Sequence, residues 1–285
     1  YVLFFFFKQK SAYDLRISDW SSDVCSSDLV FVEDVASCGH MAQCSGVARN
    51  ARYKLERELK LCGVPVDHLR VCDLLEQDVT QYKFVVFCHA FVMDYDLWSK
   101  IKAKLNPNAS VLWNYAPAMI SDNGFDPENQ TKVTGFKTRE LAERQLHADQ
   151  YKHIYWHGVH TCKQDYPLLE IITDAEVLQK TDDGYVITAR KTHEGLTHIL
   201  TVDFALRSRL LRDMIEKAGV KTYAPANVAV IADDKLTGFF PRYDAEFTYD
   251  FEGRYRNVIT GEIVSGRTQL SIPAKKFGIF EKAED

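Results

Sequence analysis

The sequence predicts an α/β domain built on a parallel sheet with crossover helices, followed by a small antiparallel β module. Three observations carry this. Between residues 30 and 115, apolar strand-like runs alternate with stripes of helical period, the pattern of parallel strands joined by helices. Residues 84–88 read FVVFC, a continuous apolar run that suits a strand covered on both faces. After Pro225 helical stripes give way to short alternating runs separated by turn residues.

The elements follow in order. Residues 30–33 are a short apolar strand. Residues 48–62 form a helix whose stripe is Ala51, Leu55, Leu59 and Cys62, stopped by Gly63 and Pro65. Residues 66–71 and 84–88 are strands. Asp94 caps a helix with Leu97, Trp98, Ile101 and Leu105 on one face. Residues 110–115 (SVLWNY) are a strand closed by Ala116-Pro117. The polar, turn-rich stretch 120–130 is expected to be a surface loop. Residues 131–166 show no clear period. Residues 167–178 and 185–191 look extended around the turn 181–184, and 197–202 is a further strand. Leu210, Leu211, Met214, Ile215 and Ala218 mark the clearest helix, ending at Gly219. The β module runs from 226 to 285 and is expected to be a β-sandwich. Its alternating runs include Phe247, Tyr249 and Phe251, with turns at Gly253 and Gly261.

The head of the chain reads differently. Residues 19–29 are DWSSDVCSSDL, the string produced by translating a common short-read sequencing adapter. Residues 4–13, FFFFKQKSAY, resemble a second adapter segment. A secretory signal fits poorly, because no basic residue precedes the apolar run 2–7 and no small-residue cleavage site follows it closely. Residues 1–29 are therefore expected to be non-native and to pack poorly, with a reading frame cut between Leu29 and Val30. The α/β domain then spans 30–225.

Composition excludes several classes. The 285 residues are 46% hydrophobic and 26% charged, ordinary for a globular chain, with net charge −5. Without residues 1–29, 32 basic residues face 36 acidic ones. No basic excess points to nucleic acid, and no apolar run is long enough for a membrane helix. The seven cysteines include no CxxC pair, which suits free thiols in a reducing, cytoplasmic setting. Cys62, Cys72 and Cys88 occupy apolar positions and are expected to be buried.

Candidate chemistry is sparse. There is no GxG fingerprint. Residues 261–268 read G-x-x-x-x-G-R-T, but they join two strands and read as a hairpin turn. His153, His157, His160 and Cys162 are zinc-ligand types, yet Gly158 and Val159 break the helix that would align them, so no metal site is assigned. Cys88 lies at a strand end beside His89, the place of a nucleophile elbow, but lacks flanking glycines; a buried small hydrophobe is the plainer reading. His193-Glu194 lies in a turn. No carboxylate pair for glycoside chemistry can be named. Glu33 and Asp34 end the first strand, facing the crevice where open α/β sheets bind ligands. Asp34, His89 and Tyr115 are the crevice candidates for binding; no catalytic residue and no cofactor are assigned.

Several strings taken together resemble one family. Residues 84–120, FVVFCHAFVMDYDLWSKIKAKLNPNASVLWNYAPAMI, resemble the strand, Asn-Ala-Phe, helix, strand, Trp-x-Tyr-Ala-Pro-Gly stretch of the trimerisation domain of beta-galactosidases. Residues 218–240, AGVKTYAPANVAVIADDKLTGFF, resemble their Ala-Gly-Val-His-x-Tyr segment, and 257–282 resemble their C-terminal β module. Cys88-His89, Ala118 and Lys221 stand where Asn, Gly and His are usual. The resemblance spans about residues 30–282. It implies a flavodoxin-like domain related to class I amidotransferases, with helices on both faces and the catalytic Cys lost. It also implies a structural role: packing on a missing catalytic (β/α)8 barrel and forming a homo-oligomer, a trimer in the family. Two alternatives stay open. One is a free-standing amidotransferase-like enzyme using Cys88 or Cys38. The other is a carbohydrate- or partner-binding module with an open pocket at Trp113, Tyr115 or Trp156.

Overall fold

The computed structural model describes residues 27–40, 50–122, 124–141, 168–203 and 206–283. Strand β1 (Leu29–Glu33) leads through a short helix α1 (Val35–Cys38) and a π-helical turn (Asn50–Lys54) into α2 (Leu55–Lys60). Then come β2 (Asp67–Arg70), α3 (Asp73–Glu76), β3 (Phe84–Cys88), α4 (Tyr95–Lys102) and β4 (Ser110–Asn114). The hairpin β5 (Ile120–Ser121) and β6 (Gly124–Phe125) precedes α5 (Pro127–Thr134) and β7 (Lys137–Glu140). The body is completed by β8 (Leu169–Ile172), β9 (Glu176–Lys180), β10 (Val186–His193), β11 (Leu196–Thr201) and α6 (Ser208–Lys217).

The large sheet has seven strands in the order β2-β1-β3-β4-β11-β10-β9. The first five run parallel, and β10 and β9 are antiparallel to their neighbours. The expected parallel sheet is thus a mixed one. The reason is local: Glu194 (φ 47°) and Gly195 (φ 88°) supply the two left-handed positions of a tight hairpin, so β10 and β11 pair side by side without a crossover helix. The chain crosses from β1 to β2 in one direction along the sheet and from β3 to β4 in the other. Right-handed crossovers then put α2 and α4 on opposite faces. Trp98 of α4 packs edge-on against Phe87 and Trp113, whose rings stack 4.5 Å apart. On the other face α2 meets α6, where the Cys62 thiol lies 3.4 Å from the Ser208 carbonyl.

The stretch expected to be a loop at 120–130 instead contains most of a hairpin and the start of α5. Asp126 caps α5 by accepting the Asn129 N–H at 3.1 Å, Pro127 takes the first position, and Gly135 ends the helix at φ 75°. The helix has no long apolar stripe because its buried face is mostly polar: Asn129, Gln130 and Thr134 with Val133 alone apolar. Asn129 donates to the carbonyls of Met93 and Ala118 at 3.0 and 2.9 Å. Cys72 is exposed, against expectation, because it lies past the edge strand at the start of the four-residue α3. Cys62 and Cys88 are buried and unpaired.

Five further strands form one antiparallel sheet: β12 (Val228–Ala232), β13 (Leu236–Pro241), β14 (Ala245–Asn257), β15 (Ile263–Ile272) and β16 (Gly278–Lys282), ordered β12-β13-β16-β14-β15. Hydrogen bonding joins all five strands in one continuous sheet. The turn expected at Gly253 is a bulge inside β14, between Phe251 and Arg254, with Gly253 at φ 110°. Before the bulge Phe247 and Tyr249 reach Phe239 of β13, at 5.2 and 5.1 Å between ring centres, although β13 and β14 are not neighbours in the sheet. The bent ribbon thus covers its own aromatic core.

Residues 1–26 lie outside the described residues, so the reading of the head falls there, as do Trp156 and the 153–162 histidine set. Residues 27–29 are described. β1 begins at Leu29, one residue before the expected break. Leu29 is fully buried and pairs with Phe84; Ser27 donates to the Pro65 carbonyl at 2.6 Å.

Candidate functional site

The carboxyl ends of β1, β3 and β4 place the three candidates on neighbouring strands. Asp34 follows β1 and is buried. Its carboxylate accepts the Ala36 N–H at 3.1 Å and the Ser37 hydroxyl at 2.5 Å, capping α1. Ser37 in turn accepts the Val92 N–H at 3.1 Å, which ties α1 to the loop after β3. The Asp34 carboxylate is therefore engaged in holding the crevice wall.

His89 follows β3 directly and has φ 59°. Tyr115 follows β4 at φ 69°, and Ala118 lies at φ 57°. Three non-glycine residues in left-handed conformations thus cluster at the ends of adjacent strands, where the surrounding packing must hold them. The Phe91 ring bridges His89 and Tyr115, at 6.0 and 6.4 Å between centres. The Tyr115 and Ala118 N–H groups donate to Thr201 and Ala90, both at 2.7 Å. His89 is 4% exposed and its Nε2 has no hydrogen-bond partner among the described residues. Burial, aided by the Arg52 charge, holds its pKa down at about 4, so the imidazole is neutral near pH 7.

The elbow position belongs to His89 and not to Cys88. Cys88 is the last residue of β3 and is fully buried. Burial, reinforced by Glu33, pushes its thiol well above the ordinary range, so no thiolate is available for nucleophilic attack. Cys38 is exposed, yet burial of the sulfur and the Glu33 and Asp34 charges raise its pKa too. His193-Glu194 sits at the β10–β11 hairpin, where Glu194 pairs with Lys102 at 2.6 Å and accepts from Tyr95 at 2.6 Å. Gly261 turns the chain between β14 and β15 at φ 77°, and Gly266 lies within β15, so the 261–268 string is a hairpin and not a phosphate loop. Trp113 and Tyr115 are buried, which leaves neither open for stacking on a sugar. Among the described residues no group of three His, Cys, Asp or Glu side chains is placed to hold a metal.

The strand registers reveal a feature that the sequence reading missed. The last row of the sheet runs Arg70, Glu33, Cys88, Asn114, Thr201, Thr188, Gln179 across all seven strands. Cys88 and Asn114 join this row one step beyond the Phe87–Trp113 pair. The row before it, Leu69, Val32, Phe87, Trp113, Leu200, Ala189, Val177, is wholly apolar. Since Phe87 and Trp113 face α4, the alternation of strand side chains points Cys88 and Asn114 to the α2 face. There Glu33 pairs with Arg52 at 2.6 Å. Thr201 and Thr188 lie hydroxyl to hydroxyl at 3.0 Å, Thr188 donates to Gln179 at 3.2 Å, and Gln179 donates to Asp203 at 3.2 Å. Lys54 lies within reach of the Asp203 charge; burial and Arg57 lower its pKa to about 8. Asn114 is 1% exposed, and neither its Oδ1 nor its Nδ2 has a partner among the described residues. The available signal was a polar residue closing each of two short apolar runs, Asn114 after VLW and Thr201 after Ile199-Leu200.

No protein-family model matches the chain, and no curated protein matches it. Solved structures do. The crystal structure of a beta-galactosidase from Bacillus circulans sp. alkalophilus superposes with TM-score 0.59 at 16% identity, over 90% of this chain and 42% of that one. A GH42 beta-galactosidase from G. stearothermophilus gives TM-score 0.58 at 12% identity, over 91% and 40%. The beta-galactosidase from the psychrophilic Marinomonas ef1 gives 0.58 at 16%, over 92% and 38%. At such identities the likeness is one of fold. The chain spans about two fifths of the length of these structures.

Proposed function

We propose that this chain is a non-catalytic part of a beta-galactosidase-like glycoside hydrolase, serving subunit assembly and packing on a catalytic (β/α)8 barrel that lies outside it. The observation that carries this is the match in extent. About nine tenths of this chain superposes on beta-galactosidases, while some three fifths of each of those chains has no counterpart here. In this reading residues 30–225 are a flavodoxin-like, amidotransferase-like trimerisation domain, and 226–285 are its β module. The parallel strand order β2-β1-β3-β4-β11 supports the flavodoxin-like label. The engaged Asp34 carboxylate and the buried, un-ionised Cys88 thiol support a role without catalysis. Exposed aliphatic side chains at the β14–β15 turn, Val258, Ile259 and Ile263, suit a surface that meets a partner. The unpaired described cysteines fit a cytoplasmic protein. Among the described residues no helix is long and apolar enough to cross a membrane.

The test is a pair of measurements on the chain as it stands. Sedimentation should give concentration-dependent oligomers, and assays with aryl galactosides should give no turnover. A clean monomer at high concentration would defeat the assembly role, and galactosidase turnover would defeat the non-catalytic one.

A further inference from the structure

The polar row on the α2 face of the large sheet contains a group that internal bonding does not use. Asn114 is enclosed, with a free amide donor and a free amide acceptor side by side. Enclosing such a group without a partner is destabilising, so its presence beside the mutually bonded Thr201, Thr188 and Gln179 needs an explanation. Its neighbours narrow the chemistry. To one side Glu33 is paired with Arg52 at 2.6 Å, and to the other Asp203 is bonded to Gln179 with Lys54 in its field. These charges are already balanced, so a charged guest would disturb existing pairs at a desolvation cost. A neutral guest would not. The flanking row members are small: a thiol at Cys88 and a hydroxyl at Thr201. The row lies at the carboxyl ends of the parallel strands, the end at which open α/β sheets receive ligands. His89 and Tyr115, in left-handed conformations, directly follow its members Cys88 and Asn114.

We propose that the Asn114 amide anchors a binding site for a small neutral polyol, with Cys88 and Thr201 as its floor. One hydroxyl of a vicinal diol donates to Oδ1 while the adjacent oxygen accepts from Nδ2. This matches the amide's paired donor and acceptor and leaves the Glu33–Arg52 pair and the Gln179–Asp203 bond intact. No covalent step is involved. The site lies within the α/β body and is independent of the assembly role, so either can fail without the other.

Glycerol is the probe and 1-propanol, which lacks the second hydroxyl, is the control. In the full ¹⁵N-labelled chain, the Asn114 side-chain NH2 signal, assigned by its loss in Asn114→Leu, should shift saturably with glycerol and not with 1-propanol. Glycerol should also raise the melting temperature of the parent chain more than that of Asn114→Leu. That variant retains the fold, since a leucine of similar size removes an unpartnered polar group. An unshifted signal, or shifts linear in concentration and shared with 1-propanol, would overturn the site. So would equal glycerol stabilisation of the two chains.

Discussion

The carboxylate of Glu58 accepts the backbone N–H of Ser208 at 3.2 Å. The two residues are 150 positions apart, and the bond seats α2 against the first turn of α6. The same carboxylate accepts from Arg57 at 2.9 Å and lies 3.5 Å from Arg242, which follows β13. Glu58 is 8% exposed, so one side chain links both helices of this face and the antiparallel sheet in a largely dry setting. It also places negative charge at the positive end of α6.

Glu58→Ala is therefore expected to cost about 2–4 kcal/mol, because it strands the Ser208 N–H and removes the carboxylate facing Arg242. Glu58→Gln keeps an acceptor and should cost less than half as much. Urea unfolding of both variants checks this. Equal losses would show that charge, and not the acceptor, carries the link.

Gly63 makes the same junction possible at the backbone level. It adopts φ 72°, and a Cβ there would lie 2.0 Å from the Ala224 carbonyl oxygen. The Tyr223 and Ala224 N–H groups donate to the Gly63 carbonyl at 2.9 and 3.1 Å, and Arg212 donates to Cys62 and Ala224 across the same gap. Gly63→Ala should push the connection before β12 away from α2, costing more than about 3 kcal/mol or abolishing soluble expression. Gly184→Ala is the control: it shares a positive φ of 89° but meets nothing within 4 Å, and should cost only about 1 kcal/mol. Similar losses at the two sites would refute the contact argument.

Much of the fold was legible in the sequence for a physical reason. FVVFC and SVLWN are buried on both faces, so burial alone wrote their composition. α4 was legible because Asp94 caps it, accepting the Leu97 N–H at 2.6 Å, and because Trp98 and Ile101 face the core. What escaped was structure held by polar contacts. The buried face of α5 is Asn129, Gln130, Val133 and Thr134, with one apolar residue too few for a hydrophobic period, and only the Asp126-Pro127 start and Gly135 stop announced it. Asp34 was legible as a crevice residue by position, but its bond to Ser37 depends on a turn that no pattern specifies. The polar row was illegible for a different reason. It exists only once seven strands are in register, and its central members, Glu33, Cys88, Asn114 and Thr201, each stand alone at the last position of a different strand.

Acid should destabilise the fold through two imidazoles. His89 and His198 are both buried, with pKa values lowered to about 4 and about 3, chiefly by burial. His198 Nδ1 accepts the Trp113 indole N–H at 3.0 Å, so the neutral form is the one the core uses. The unfolded chain binds these protons near pH 6.5 and the folded chain does not. Their contribution is therefore complete above about pH 6.5, declines as pH falls, and is exhausted below the folded values. Each imidazole should remove up to about 1.4 kcal/mol per pH unit within that window. Urea midpoints between pH 7 and pH 4.5 measure the slope, and His89→Leu should reduce it by about one imidazole's share. A slope unaffected by that variant would show that His89 is not buried as a neutral ring.

The start of β1 gives the last prediction. Asp28 is bonded from three directions: its carbonyl accepts the Lys83 and Phe84 N–H groups at 2.8 and 3.1 Å, and its carboxylate pairs with Lys83 at 2.9 Å and accepts the Lys221 N–H at 3.0 Å. Ser27 and Leu29 add the bond to Pro65 and a fully buried side chain. Burying one leucine contributes about 1.5–3 kcal/mol, and the hydrogen bonds add about 1 kcal/mol each. A chain beginning at residue 30 should therefore be less stable than one beginning at 27 by several kcal/mol. The chain beginning at 27 should match the full chain, if residues 1–26 contribute nothing to the packed body. Thermal and urea unfolding of the three chains separate these effects. Stability lost on removing 1–26 would make that segment part of the fold. An unchanged midpoint on starting at 30 would instead mean that β1 pairs without its first residue and that the Asp28 bonds are dispensable.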